Sequence, residues 1–400
     1  MDLPEAVLAR WQRRQAREGR INADTSDLCR SEIEKLRGQR PSIDRDASLA
    51  LWLEHTTRNS SGRRDALEEA ADLLTRAAAI AERRDQYDGL DDLRRWRRRV
   101  CYLRDCATAP MPEPAKTEAV PRLGADASAA AVAAFLARGE PVVVEGGADA
   151  CVGDGKAWTP AALAASLGAK SAPLKAADAP FSEESWAGLG TKGQLPLGAF
   201  LERPDEGLYL HDWSLPRNAP EALLDELRTP RWLRGDLLRR CGDDVPYAGA
   251  WPSLFVGAPG TRSTCHVDSG SLHFAMALVH GGAKNWRVWR REDAAFLYPR
   301  FAVSADDVLF DAARAGAAQP RWVVCQKPGD LVFVPSDCPH AVDNDGVTVG
   351  LATNFVDGSN VDAVAASLAD VGDTASLRLR ERLLALADEG DDVPAKRARV

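Results

Sequence analysis

The sequence predicts an α+β protein: a β-sandwich or jelly roll with flanking helices, preceded by an α-helical N-terminal region. Two observations carry this. Up to about residue 108 the chain is charged, with apolar residues at helical spacing; beyond residue 121 it turns to short β-rich runs bounded by turn residues. Between them "TAPMPEPAKTEAVP" (108–121) is rich in proline and has no apolar period, the texture of a linker. The expected division is a helical region over 1–108, a linker over 109–121, a β-rich domain over 122–358, and a C-terminal helix with a basic tail over 359–400.

In the helical region Leu67, Ala70, Ala71, Leu74, Ala77, Ala78 and Ala81 share one face of a helix for which Asp65 is a candidate cap. Leu93, Trp96, Val100 and Leu103 repeat in the same way. The arginines of "RRWRRR" (94–99) fall on the other face, where water, rather than an acidic ligand, is the expected neighbour. Strands are expected at 141–146, 253–257, 273–281, 285–290, 321–326, 330–335 and 347–356. Helices are expected at 128–139, 159–168, 220–228 and 373–390, with glycine stopping two of them.

Composition narrows the function. A chain of 400 residues with 45% hydrophobic content buries a sizeable core. A net charge of -8 and a pI near 5.4 argue against coating nucleic acid or an anionic membrane through the overall field. No apolar run is long enough to span a bilayer and the N-terminus has no signal-peptide pattern, so an intracellular protein is expected. Eight cysteines without a CxxC pair predict reduced thiols, not a disulfide framework or a zinc finger.

The segment "STCHVDSGSLHFAMALVHGGAKNWRVW" (263–289) holds three of the six histidines. Residues i and i+2 of a strand point to one side, so His266 and Asp268 converge. A third ligand from a neighbouring strand would complete the two-His, one-carboxylate set of non-haem Fe(II), leaving three coordination positions open. In "KPGDLVFVPSDCPHAVDN" (327–344) a hairpin returns His340 to the start of a new strand, where it is either that third ligand or a satisfied strand-end histidine. A zinc hydrolase is disfavoured because no HExxH is present.

"HVD", "GGAKNW", "PSDCPHAVDN" and "NFVD", in that order, resemble the Jumonji C (JmjC) family of cupin-fold, 2-oxoglutarate-dependent oxygenases. Upstream, "PVVVEG", "WTPAALAASLG" and "GLYLHDW" are similar to that family too, so the resemblance spans roughly 119–358. It implies a double-stranded β-helix (jelly roll/cupin) core, with His266, Asp268 and His340 as catalytic metal ligands for Fe(II). It also implies that Lys284 and Tyr209 bind the distal carboxylate of 2-oxoglutarate, that Asn354 touches its metal-bound end, and that Thr264 or Ser263 lines its pocket. A buried dianion needs a compensating cation, which supports the lysine on chemical grounds. Two departures stand out: the Asp268-to-Lys284 spacing is slightly long, and Met276 replaces a polar contact, for which His273 is expected to compensate. The resemblance implies release of succinate and CO2, with hydroxylation of a protein side chain as the expected activity and RNA as a less common substrate. Histone or protein N-methyl demethylation is the alternative, and a non-catalytic cupin acting as an interaction module is a third reading. "PAKRARV" (394–400) reads as a nuclear import signal or a solvated terminus, giving a nuclear or cytoplasmic location.

Overall fold

The structure, a computed structural model, describes residues 26–56, 62–83, 89–107, 116–177, 187–204, 207–242, 245–297, 299–300, 308–310 and 319–389. The chain divides into two compact units. The first carries helices α1 (Ser26–Arg37), α2 (Ile43–Thr56), α3 (Arg63–Glu82) and α4 (Leu90–Cys106). The alanine and leucine stripe of α3 is buried, as are Leu93, Trp96, Val100 and Leu103 of α4. The helix α3 begins at Arg63 after Gly62, so Asp65 lies in its first turn and is not the cap. There the carboxylate still meets the positive end of the helix dipole. The arginine face of α4 does more than meet water: Arg94 pairs with Glu82 at 3.0 Å, Arg97 donates to the Thr75 hydroxyl at 2.8 Å, and Arg99 is buried.

The second unit holds fourteen strands among the described residues. The first, β1 (Glu118–Ala119), pairs in parallel with β12 (Trp322–Gln326), and Val120 is buried. The chain therefore enters the sheet inside the expected linker, because backbone pairing and one apolar side chain suffice to recruit it. Residues 108–115 lie outside the described residues.

Two long strands organise the rest, β9 (His273–Val288) and β14 (His340–Phe355). One half of each, 273–281 with 348–355, forms a sheet with β13 (Leu331–Val334) and β3 (Val142–Val144) on one side. On the other side lie β7 (Ser253–Gly257), β6 (Tyr209–Ser214), β4 (Ser171–Ala177) and β5 (Leu189–Pro196). The other halves, 283–288 with 340–345, pair with β12 and with β8 (Arg262–Val267) in a second layer. The pairing of β9 with β14 shifts register between Asp345 and Thr348. At that corner a Cβ on Gly281 or Gly282 would overlap the carbonyl oxygens of Val347 and Asp345, so only glycine lets the two backbones turn together. Two sheets sharing continuous bent strands make the double-stranded β-helix, with helices α5 (Ala129–Ala137) and α6 (Pro160–Leu167) among those flanking it. Helix α7 (Leu197–Glu202) and three single-turn helices come next, and the paired helices α8 (Val361–Val371) and α9 (Thr374–Asp388) follow the barrel.

Two expected element bounds need revision. The strands at 273–281 and 285–290 are one strand, because the intervening glycines bend the chain without ending its pairing. The helix expected at 220–228 is a single turn, Glu221–Leu224. All eight cysteines are free. Among the described residues no helix is long and apolar enough to cross a membrane.

Candidate metal centre

The first ligand, His266, sits near the end of β8 opposite His340, which opens β14. Their rings lie 4.4 Å apart. Asp268 follows β8 with an extended backbone, so the i, i+2 step delivers its carboxylate to the same side. One carboxylate oxygen stands 3.6 Å from Nε2 of His266 and 4.0 Å from Nε2 of His340. Ligand atoms of all three residues lie within 4.8 Å of one another.

Backbone carbonyls fix both tautomers. Nδ1 of His266 donates to the Thr264 carbonyl at 2.6 Å, and Nδ1 of His340 to the Cys338 carbonyl at 3.1 Å. Each Nε2 is left to offer its lone pair to the carboxylate side. Burial, and then the neighbouring His340, hold the His266 imidazole well below its ordinary value, which keeps it neutral. Cys265, which directly precedes His266, is buried and its thiol is pushed far up, so it is no competing ligand. Two imidazoles and one carboxylate on one face fit iron of the non-haem type.

A cleft opens from this triad into the barrel, with about 320 Å³ of empty volume including its mouth. It is lined by Ser263, Tyr209, His211, Phe255, Phe274, Met276, Lys284, Trp286 and Val342 as well as the triad. Lys284 is fully buried and donates to the Tyr209 hydroxyl at 3.0 Å and to Oδ1 of Asn344 at 2.7 Å. Asn344 is itself held by Thr261 at 3.0 Å and Thr348 at 2.8 Å. No carboxylate of the described residues pairs with this ammonium. A buried cation faced only by neutral oxygens is costly until an anion arrives, and the carboxylate of a small dicarboxylate fits that need.

Of the residues expected at the site, His266, Asp268, His340, Lys284, Tyr209 and Ser263 line this one cleft. Two are placed elsewhere. Asn354 donates to the second oxygen of Asp268 at 2.9 Å, so it holds a ligand instead of lining the cleft. The Thr264 hydroxyl is buried against Gly188, away from the cleft. The reason is a β-bulge: His340 pairs with His266 but Val342 with Ser263, so β8 carries one residue more than β14 over this span. The extra residue reverses the alternation and brings Ser263, not Thr264, to the side of His266. His273 does not compensate for Met276, because adjacent strand residues face opposite ways and it is Phe274 and Met276 that face the cleft.

Asn344 and His211 were missed. Both were available from the two-residue period, Asn344 at four residues from His340 and His211 at two from Tyr209. Nε2 of His211 is 3.2 Å from the Ser263 hydroxyl, and burial holds its ring well below the ordinary histidine value.

Fold and site together define a double-stranded β-helix protein with a two-His, one-carboxylate group that could hold a metal ion. Residues 314–355 match the family model described as "JmjC domain, hydroxylase". The chain is 28% identical over 167 residues to "2-oxoglutarate and iron-dependent oxygenase JMJD4" of Danio rerio, covering 40% of this chain and 38% of that protein. The Homo sapiens protein of the same name is 28% identical over 172 residues, 41% of this chain and 40% of that one. "HSPB1-associated protein 1" of Rattus norvegicus is 30% identical over 114 residues, 26% and 23% of the two chains. The chain thus spans about two fifths of the JMJD4 relatives or less.

Proposed function

We propose that the protein is an Fe(II)- and 2-oxoglutarate-dependent dioxygenase that hydroxylates a side chain of a protein substrate, with release of succinate and CO2. The observation that carries the reading is one cleft with a His-Asp-His donor set at one end and a buried, carboxylate-free lysine at the other. The printed names of the JMJD4 relatives, which state iron and 2-oxoglutarate dependence, support the same cofactors here.

His266, Asp268 and His340 would hold the iron, which together with 2-oxoglutarate supplies the oxidising chemistry that places one oxygen atom of O2 into a C–H bond. Asn354 fixes which oxygen of Asp268 faces the metal side. Lys284 binds the distal carboxylate, oriented by Tyr209 and Asn344, whose own hydrogen bonds leave the amine little freedom to turn away. Phe255, Phe274, Trp286 and Val342 exclude water from the cleft and set its width.

A protein substrate is preferred to RNA because the acidic chain offers no basic field for a nucleic acid, and the location we infer is nuclear or cytoplasmic. The basic tail lies outside the described residues. Deleting 394–400 and comparing distributions tests it, an unchanged distribution ruling out an import signal.

The deciding experiment is anaerobic titration with Fe(II) and 2-oxoglutarate, then admission of O2, succinate measurement and a proteome-wide search for oxidised side chains. Succinate with a hydroxylated side chain is the expected result. Formaldehyde release in its place would assign N-demethylation, and no 2-oxoglutarate turnover would leave a metal-binding interaction module.

A further inference from the structure

On the side of β9 facing away from the cleft lies a polar cluster that the proposed chemistry does not use. His273 opens β9 and is buried. Its Nδ1 lies 2.8 Å from the backbone N–H of Ser336, a group that can only donate. Nδ1 is therefore the acceptor, and in the neutral ring the proton sits on Nε2. That nitrogen faces the Ser359 hydroxyl at 2.9 Å and the Asp357 carboxylate at 3.5 Å. The Ser359 hydroxyl donates onward to Asp357 at 2.6 Å. Asn360, also buried, accepts from the Asp357 N–H at 2.9 Å and donates to the Ser271 carbonyl at 3.1 Å.

Each segment tied into this cluster carries a residue of the metal centre. Ser336 leads into His340, Ser271 follows Asp268, and Asp357 follows Asn354, which holds Asp268. The donor and acceptor directions run unbroken from Ser336 through the ring to Asp357, so the imidazole is the joint between the loop before β14 and the loop after it. We propose that His273 is a positioning residue for the metal centre, setting the segments of His340, Asp268 and Asn354 in one register. The proposal rests on reading the triad as a metal site. An ordinary core histidine would affect stability alone, whereas this one also sets metal affinity.

The test uses the full chain, visible-absorption titration with Co(II), and hydrogen exchange at the Ser336 amide of the metal-free protein. His273→Ala is expected to weaken Co(II) binding roughly 10- to 100-fold, the range for partners that orient metal ligands, and to expose the Ser336 amide to exchange. His273→Asn can place its amide oxygen near the Nδ1 position; it should restore Ser336 protection and most of the affinity. His273→Gln can reach Ser359 but not Ser336, and should restore neither. A folded His273→Ala protein with Co(II) affinity within about twofold of wild type overturns the proposal. So does His273→Asn recovering thermal stability without recovering affinity. If the alanine variant fails to fold, equal affinities for wild type, His273→Asn and His273→Gln overturn it instead. Wild-type protein that takes up no Co(II) overturns the triad reading and this proposal with it, and is told apart because every variant is then equally blank.

Discussion

In the helical unit Glu54 is sealed against Arg63 at 2.8 Å, both side chains buried, and the buried Asp46 lies between Arg45 at 2.6 Å and Arg76 at 2.7 Å. In the barrel Lys284 is buried as deeply and meets a phenol and an amide oxygen. Asp236, in the second unit at the start of the short helix Leu237–Arg240, takes a third course. Its carboxyl accepts the N–H groups of Val356 and Leu238, yet burial outweighs both bonds and pushes it up to about 7. An ionisable group inside a protein can be paired, neutralised or kept for a ligand. Only the last leaves the local charge unbalanced until something binds, and here that group shares a cleft with a metal-ligand triad.

The contrast breaks most completely at the triad. His266→Ala, Asp268→Ala and His340→Ala should each abolish Fe(II)-dependent succinate production while circular dichroism stays near wild type. Retained turnover in any two would end the metal assignment. Next in size, Glu54→Ala removes the carboxylate that balances the buried Arg63 guanidinium, and the helical unit should lose about 3–5 kcal/mol in denaturant titration with Co(II) uptake unchanged. Lys284→Ala should do the reverse. It removes a charged hydrogen bond of about 1.5–3 kcal/mol, weakening 2-oxoglutarate roughly 10- to 150-fold with iron affinity little changed. Lys284→Arg should rescue only in part, since the planar fork needs a different approach. The check is a cosubstrate titration at saturating iron followed by its charge-transfer band, and an unchanged midpoint would make Lys284 a structural charge.

The smallest effect separates the neutralised group from the other two. Asp236 binds its proton more tightly folded, near pH 7, than unfolded, near its ordinary 3.8. Its stabilising contribution is full below the unfolded value and is lost as pH rises through the folded one. Between pH 6 and 8 wild type should lose ~1 kcal/mol from this group, a slope that Asp236→Asn should flatten. Parallel pH profiles of denaturation midpoint for the two proteins would show that Asp236 does not titrate there.

Much of the barrel was legible because its strands are β-branched and punctuated, as in "PVVVEG" and "DLVFVP". The hairpin of β4 and β5 was not. "SAPLKAA" and "LGTKGQLP" carry alanine, glycine and proline in place of strand formers, and they are strands because they pair with each other and β4 pairs with β6. At the site, "HVD" could be read because both ligands lie on one short extended segment. The choice between Ser263 and Thr264 could not, since it turns on a bulge that only the partner strand defines. Lys284 looked like any strand-end lysine to a residue-level reading, and its burial became visible only when β6 and β14 were laid around it.

The bent strand β14 carries His340 at the metal end of the cleft and Asn344, the partner of Lys284, toward the other. The cleft's length is thereby measured out on a single backbone, at about 13 Å for four residues. Such a ruler has coarse graduations: inserting one residue would turn every later side chain to the opposite face, and inserting two would add about 7 Å. Reach toward a dicarboxylate of a different length therefore has to be adjusted by exchanging side chains such as Met276, while the spacing between the two ends stays fixed by the fold.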